Sequence, residues 1–150
     1  SLGGGISTAM DNAVASATAA GMVMVLAAGN SNVDACTSSP ARAPSGITVG
    51  ASASNDTIAS FSNWGTCVDI FAPGVGIQSA WSTSNTATNT ISGTSMAAPH
   101  VAGVVALALA DYAFTTAQQV TDFIKSKATV GKITGALNGA PNALVYNQFV

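Results

Sequence analysis

The sequence predicts an α/β domain built on a mostly parallel sheet. Three observations carry this. A segment with helical spacing runs straight into a continuous apolar run of strand length at residues 22–28. Short β-prone stretches follow, separated by Gly, Pro and Asn turns. A polar, glycine-bearing turn then enters an apolar segment at 101–110 that shows no polar face, which predicts a helix buried on all sides. Helix followed by buried strand is the α/β pattern, and a strand apolar at every position suits a parallel sheet covered on both faces.

The elements follow in order. The opening Ser1-Leu2-Gly3-Gly4-Gly5 reads as a loop, and neither phosphate-binding glycine motif continues it. Thr8 with Asp11 suits a helix start, Met10, Ala13, Val14 and Ala17 recur at helical spacing, and Gly21 is a natural stop. Gly29-Asn30 closes the strand at 22–28. Ligands gather beyond the carboxyl ends of strands in open α/β sheets, although a turn Asn is the commoner case. Residues 31–46 read as loop and 47–51 as a short strand, with further strand candidates at 58–61 and 68–71. Ala72-Pro73-Gly74 reads as a turn, and 77–81 with 88–91 as a hairpin or edge strands.

Ile91 to Gly103 is the stretch around which the rest is organised. Pro99 is harmless only within the first turn, so the helix is expected to start no earlier than about Ser95 or Met96. Ser95 then sits where free N–H groups and the helix dipole favour negative charge. It is a candidate nucleophile there, although on position alone a plain N-cap serine is the commoner case. Thr115 with Gln118 suggests a capping box for a last helix, with Val120, Phe123 and Ile124 as its buried stripe and Lys125 and Lys127 near its end. Residues 131–141 are loop-rich, and 143–146 read as a final strand or tail.

Composition narrows the function. The 150 residues suffice for one domain with a real core, and no repeat, linker or second domain is visible across 1–150. The chain is 48% hydrophobic and 7% charged, against about a quarter charged in ordinary domains. A net charge of −2 offers no basic patch for nucleic acid. The apolar runs are too short to span a bilayer, so no membrane role is expected. Cys36 and Cys67 lie in loop-like surroundings, as an exported protein's disulfide or as two free thiols. No signal peptide is visible, and a start at Ser1 rather than Met points to processing, truncation or cloning.

The motifs then identify a family. Gly93-Thr94-Ser95-Met96-Ala97-Ala98-Pro99-His100-Val101-Ala102-Gly103 resembles the active-serine segment of the subtilisin-like serine proteases. Ser1-Leu2-Gly3-Gly4 and Ala27-Ala28-Gly29-Asn30 resemble that family's substrate-binding and oxyanion segments. Phe61-Ser62-Asn63-Trp64-Gly65 and Asp69-Ile70-Phe71-Ala72-Pro73-Gly74 are similar to the proteinase K branch in particular. An α/β-hydrolase elbow is disfavoured, because Ala97 stands where that motif requires Gly.

The resemblance implies a three-layer α/β/α subtilisin-like fold, of which this chain is the C-terminal half. It implies a secreted serine endopeptidase with Ser95 as nucleophile and the Asn30 amide plus the Ser95 N–H as oxyanion donors. Peptide or protein substrate would lie along Ser1, Leu2, Gly3 and Gly4 and along Ala27, Ala28 and Gly29, with Thr94 beside it. Small uncharged walls imply a preference for apolar or aromatic residues before the cut. The family's triad runs Asp, His, Ser along the chain, and the first two segments are absent here. The single histidine, His100, lies on the same helix as Ser95 and is turned from its oxygen. It takes a structural role, so a partner N-terminal half would carry the triad Asp and His. The other reading is an inactive fragment that at most binds peptide strands or that missing half. The branch also implies a structural Ca²⁺ on Asp69 and the carbonyls of Pro44 and Gly46, beside the plainer reading of a hydrogen-bonded Asp. A Cys36–Cys67 disulfide is implied in the same way.

Overall fold

In the computed structural model, which describes residues 1–148, the first helix α1 (Thr8–Ala19) is capped one residue earlier than predicted. Ser7 is the N-cap, its hydroxyl accepting from the Met10 N–H at 3.4 Å. The chain leaves α1 through Gly21 at φ +94°. It then forms β1 (Val25–Ala27), shorter than the apolar run at 22–28 because only these residues find a partner strand. Met22 is 56% exposed.

Strands β2 (Ile47–Ser52) and β3 (Ile70–Pro73) extend the sheet in parallel, with Ala27 opposite Val49 and Val49 opposite Ile70. Pro73, expected in a turn, ends β3. The candidate strand at 58–61 reduces to one bridge between Ile58 and Ser52. A hairpin of β4 (Ile77–Ala80) and β5 (Thr88–Ile91) forms a separate antiparallel pair. After the helices α2 (Thr94–Asp111) and α3 (Ala117–Lys127), β6 (Thr129–Val130) and β7 (Ala143–Leu144) complete a sheet of order β1-β2-β3-β7-β6. Only β6 runs antiparallel in it. The expected capping box sits one residue on: Thr116 caps α3 by accepting from Gln119 N–H, while the Gln119 carboxamide oxygen reaches back to Thr115.

Side-chain alternation builds three layers. Ala27, Ile47, Val49, Ala51, Ile70 and Ala72 pack in one cluster with Ala97, Val101, Val104 and Ala108 of α2. Leu26, on the opposite face, packs on Val14 of α1 and on Ala43. Phe71 on that face packs with Ala28, Ala35 and Ile133. The α/β class and the mostly parallel sheet expected from the sequence are what the chain forms.

The central helix also departs from expectation. The central helix is not buried on all sides: Leu107 is 44% exposed and Leu109 50%. An apolar residue at every position carries no amphipathic signal, so the sequence cannot say which face meets the sheet. With 18 residues and a mean hydropathy of 1.3, α2 is also long and apolar enough to cross a bilayer. Here its buried side, from Thr94 to Ala108, is used on β1, β2 and β3.

Candidate active site

The site forms where α2 begins. The Gly93 N–H donates to the Gly74 carbonyl at 2.8 Å, tying the turn to the end of β3. Thr94 is the first helical residue and Pro99 lies inside the first turns. Pro99 has no N–H, so the Ser95 carbonyl lacks its ordinary helical donor. Ser1 fills that place: its hydroxyl donates to the Ser95 carbonyl at 3.1 Å. In return the Ser95 hydroxyl lies 3.4 Å from the Ser1 carbonyl. That contact is long for an O–H···O bond, so the Ser95 oxygen is only loosely held.

Asn30 approaches from the other side. Gly29 at φ +105° makes the turn after β1, a conformation that L side chains rarely adopt. The Asn30 Oδ1 accepts two hydrogen bonds of 2.8 Å, from the Thr94 N–H and from the Thr94 hydroxyl. The Thr94 hydroxyl accepts in turn from the Gly29 N–H at 3.1 Å. Asn30 thus satisfies the first N–H of α2, one of the four that a helix leaves open. With Oδ1 so engaged, the carboxamide is oriented and Nδ2 faces outward. Among the described residues neither Asn30 Nδ2 nor the Ser95 N–H has a hydrogen-bond partner. A Cβ built on Gly93 would lie 3.5 Å from Asn30 Nδ2 and 3.6 Å from Ser95 N. Two unpaired donors therefore flank one small space at a helix N-terminus, an arrangement suited to an oxygen that gains negative charge.

Both donors open onto a cavity of about 440 Å³. Ser1, Leu2, Gly3, Gly4, Ala27, Ala28, Gly29, Thr94 and Ser95 also line it, so the residues expected around substrate meet in one place. Gly4 is held by a two-way backbone pair with Ser39, at 3.0 and 3.2 Å. Thr94 is fully buried and spends its hydroxyl on Asn30 and Gly29. No lining side chain is charged. Val33, Thr37, Ala41 and Asn63 line the cavity too. Asn63 belongs to the Phe61–Gly65 motif, which carried no site role in the sequence, and nothing in the sequence around Val33, Thr37 and Ala41 singled them out, since all four arrive through the long loops after β1 and β2.

His100 does not join this group. Its Nδ1 lies 2.8 Å from the Met96 carbonyl one turn back. It borders other cavities, with Pro99 and Leu107 or with Met96 and Ile77.

Cys36 and Cys67 are bonded, with Cα atoms 5.3 Å apart. Asp69 is half-buried and both its oxygens are engaged. Oδ2 accepts from the Thr48 N–H at 2.9 Å and Oδ1 pairs with the Lys125 ammonium at 2.8 Å. A hard cation seeks free oxygen ligands, and the Lys125 ammonium already engages one of the two Asp69 oxygens. Pro44 is exposed and borders a cavity with Asp11, Arg42 and the disulfide. No group of three or more His, Cys, Asp or Glu side chains gathers among the described residues. The Asp69 side chain is engaged here as an ion pair with Lys125.

Comparison with known proteins places the chain. The subtilase family profile, designated Peptidase_S8, matches residues 1–144. An extracellular serine proteinase of Thermus sp. (strain Rt41A) is 56% identical over 149 residues, covering 99% of this chain and 36% of that protein. A cuticle-degrading serine protease of Arthrobotrys oligospora is 52% identical over 150 residues, covering 99% of this chain and 37% of that protein. The crystal structure of a cold-adapted subtilisin-like serine proteinase superposes with a TM-score of 0.92 at 53% identity. That match covers 97% of this chain and 52% of the solved one. The chain therefore spans about a third of the length of these curated relatives.

Proposed function

The chain belongs to the subtilase family, and from that premise we propose that it supplies the nucleophile and the oxyanion donors of a secreted serine endopeptidase. The observation that carries the reading is the pair of unpartnered donors, Asn30 Nδ2 and Ser95 N–H, beside the Ser95 hydroxyl at the head of α2.

Ser95 Oγ attacks the carbonyl carbon of a peptide bond. Its proton passes to a base, and the carbonyl oxygen becomes an oxyanion held by the two donors. The tetrahedral species collapses, the C–N bond breaks, and the amine leaves with the proton that the base returns. Water then releases the acyl group from Ser95 by the same steps. The base is not His100, which is bonded to the Met96 carbonyl and faces other cavities. A further part of the peptidase domain would bring the triad His and Asp. Two features support such a part. In the described sheet β1 pairs only with β2, leaving its other edge open, and Leu107 and Leu109 of α2 stand exposed. Without that part the chain is expected to be inactive.

Substrate would lie along Ser1, Leu2, Gly3 and Gly4 and along Ala27, Ala28 and Gly29 as an added strand. The uncharged lining favours an apolar or aromatic residue before the cut. A secreted location is supported by the disulfide, which persists in oxidising surroundings, and by a relative named as extracellular.

A fluorophosphonate probe tests the reading. Ser95 is expected to be labelled when the chain is assembled with the Asp- and His-bearing part, and Ser95→Ala abolishes labelling. Equal labelling of wild type and Ser95→Ala, or none in a folded assembly, overturns it.

A further inference from the structure

We infer that Asn63 is a positioning residue for Asn30: it holds the turn that aims the Asn30 amide at the space beside Ser95. The inference rests on the protease reading above and adds a residue to it.

Asn63 is 3% exposed, one of the few buried polar side chains in the described chain. Such a group costs stability unless its hydrogen bonds are made. Here three are made, all to main-chain groups of the turn on either side of Asn30. Nδ2 donates to the Ala28 carbonyl at 2.8 Å. Oδ1 accepts from the Ser31 N–H at 3.0 Å and from the Val33 N–H at 3.2 Å. The Asn63 backbone N–H adds a fourth bond, to the Gly29 carbonyl at 2.9 Å. The carboxamide lies directly under Gly29, where a Cβ would collide with its nitrogen.

Asn63 is itself anchored to the sheet. The Ser62 hydroxyl donates to the Asn63 carbonyl at 2.9 Å and accepts from the Ala51 N–H of β2 at 3.0 Å. A chain of bonds thus runs from β2 through Ser62 and Asn63 to the turn. Thr94 fixes the end of the Asn30 side chain, and Asn63 fixes the backbone that carries it. Both are needed to place Nδ2, because a donor set aside by an ångström loses most of its effect on a transition state. Asn63 makes no contact with the reacting atoms in this scheme.

A double-mutant cycle in the enzyme assembled with its Asp- and His-bearing part separates this role from general support of the fold. The measurements are kcat and KM on a chromogenic peptide for wild type, Asn30→Ala, Asn63→Ala and the double variant. Asn63→Ala is expected to lower kcat by about 10- to 100-fold with KM changed less than about twofold. In the Asn30→Ala background the same change is expected to lower kcat no further. Equal losses in both backgrounds, or no loss in the first, overturn the inference while leaving the protease reading intact. If Asn30→Ala itself leaves kcat unchanged, the role of Asn30 falls and this inference falls with it. Should Asn63→Ala not fold, Asn63→Ser carries the same cycle with the same expected pattern. Its shorter hydroxyl adds no buried charge and cannot span the bonds to Ala28, Ser31 and Val33 together.

Discussion

Asn30 and Thr94 meet through two hydrogen bonds of 2.8 Å that end on a single oxygen, Asn30 Oδ1. A carboxamide has one acceptor oxygen and one donor nitrogen. Saturating the first decides where the second points. The pair therefore caps α2 and orients the amide in the same contact.

Thr94→Val keeps the shape and removes the hydroxyl. It should leave the part-buried Gly29 N–H without its acceptor, costing about 1 kcal/mol of stability. In the assembled enzyme kcat should fall by about tenfold, less than the 10²–10³ for removing a donor outright. That larger figure was obtained on a member of this same family and not on this chain. Denaturant melts and steady-state kinetics check both effects, and unchanged kcat would release Thr94 from the role.

The Cys36–Cys67 bond closes a loop of separation 31. On the chain-entropy account, such a loop contributes about 3–4 kcal/mol. Urea unfolding of the oxidised protein should show a higher midpoint than that of the Cys36→Ser, Cys67→Ser variant. Labelling by a thiol reagent without prior reduction should be absent.

Acid should weaken the join between α1 and the loop before β2. The Ser39 hydroxyl, and then the Arg42 guanidinium at 2.7 Å, hold the Asp11 carboxyl below its usual value of 3.8. A carboxylate whose folded value is depressed stabilises the fold above its unfolded value, and loses that contribution as pH falls through the folded one. The contribution is thus present at neutral pH and lost below about pH 4. Asp11→Asn should flatten the Tm-against-pH curve in that window and leave its shape near neutral pH unchanged.

Lys125 engages one oxygen of Asp69, the carboxylate that a calcium ion would need. Lys125→Met frees Asp69 Oδ1 while keeping the stem. The rise in Tm on adding calcium should be larger for this variant than for wild type. Equal rises in both would show that the ammonium does not guard the carboxylate, and no rise in either would remove Asp69 from the calcium question.

Local sequence determined a good deal by itself. An apolar run after a helical pattern meant a sheet with helices against it. A Ser-bearing turn running into apolar residues with an early proline placed Ser95 at a helix head, and the order of motifs named the family. These properties depend on neighbours a few residues apart. Tertiary structure alone decided the rest. Which face of α2 is buried was invisible, because a helix apolar all round has no preferred side. The strand at 58–61 failed because β-prone residues form a strand only where a partner runs alongside. The hold on Asn30 was illegible too, since Thr94 and Asn63 reach it across long stretches of chain. A side-chain hydrogen bond depends on where folded backbones bring two groups within 3 Å or so, and no local pattern of residue types records that distance.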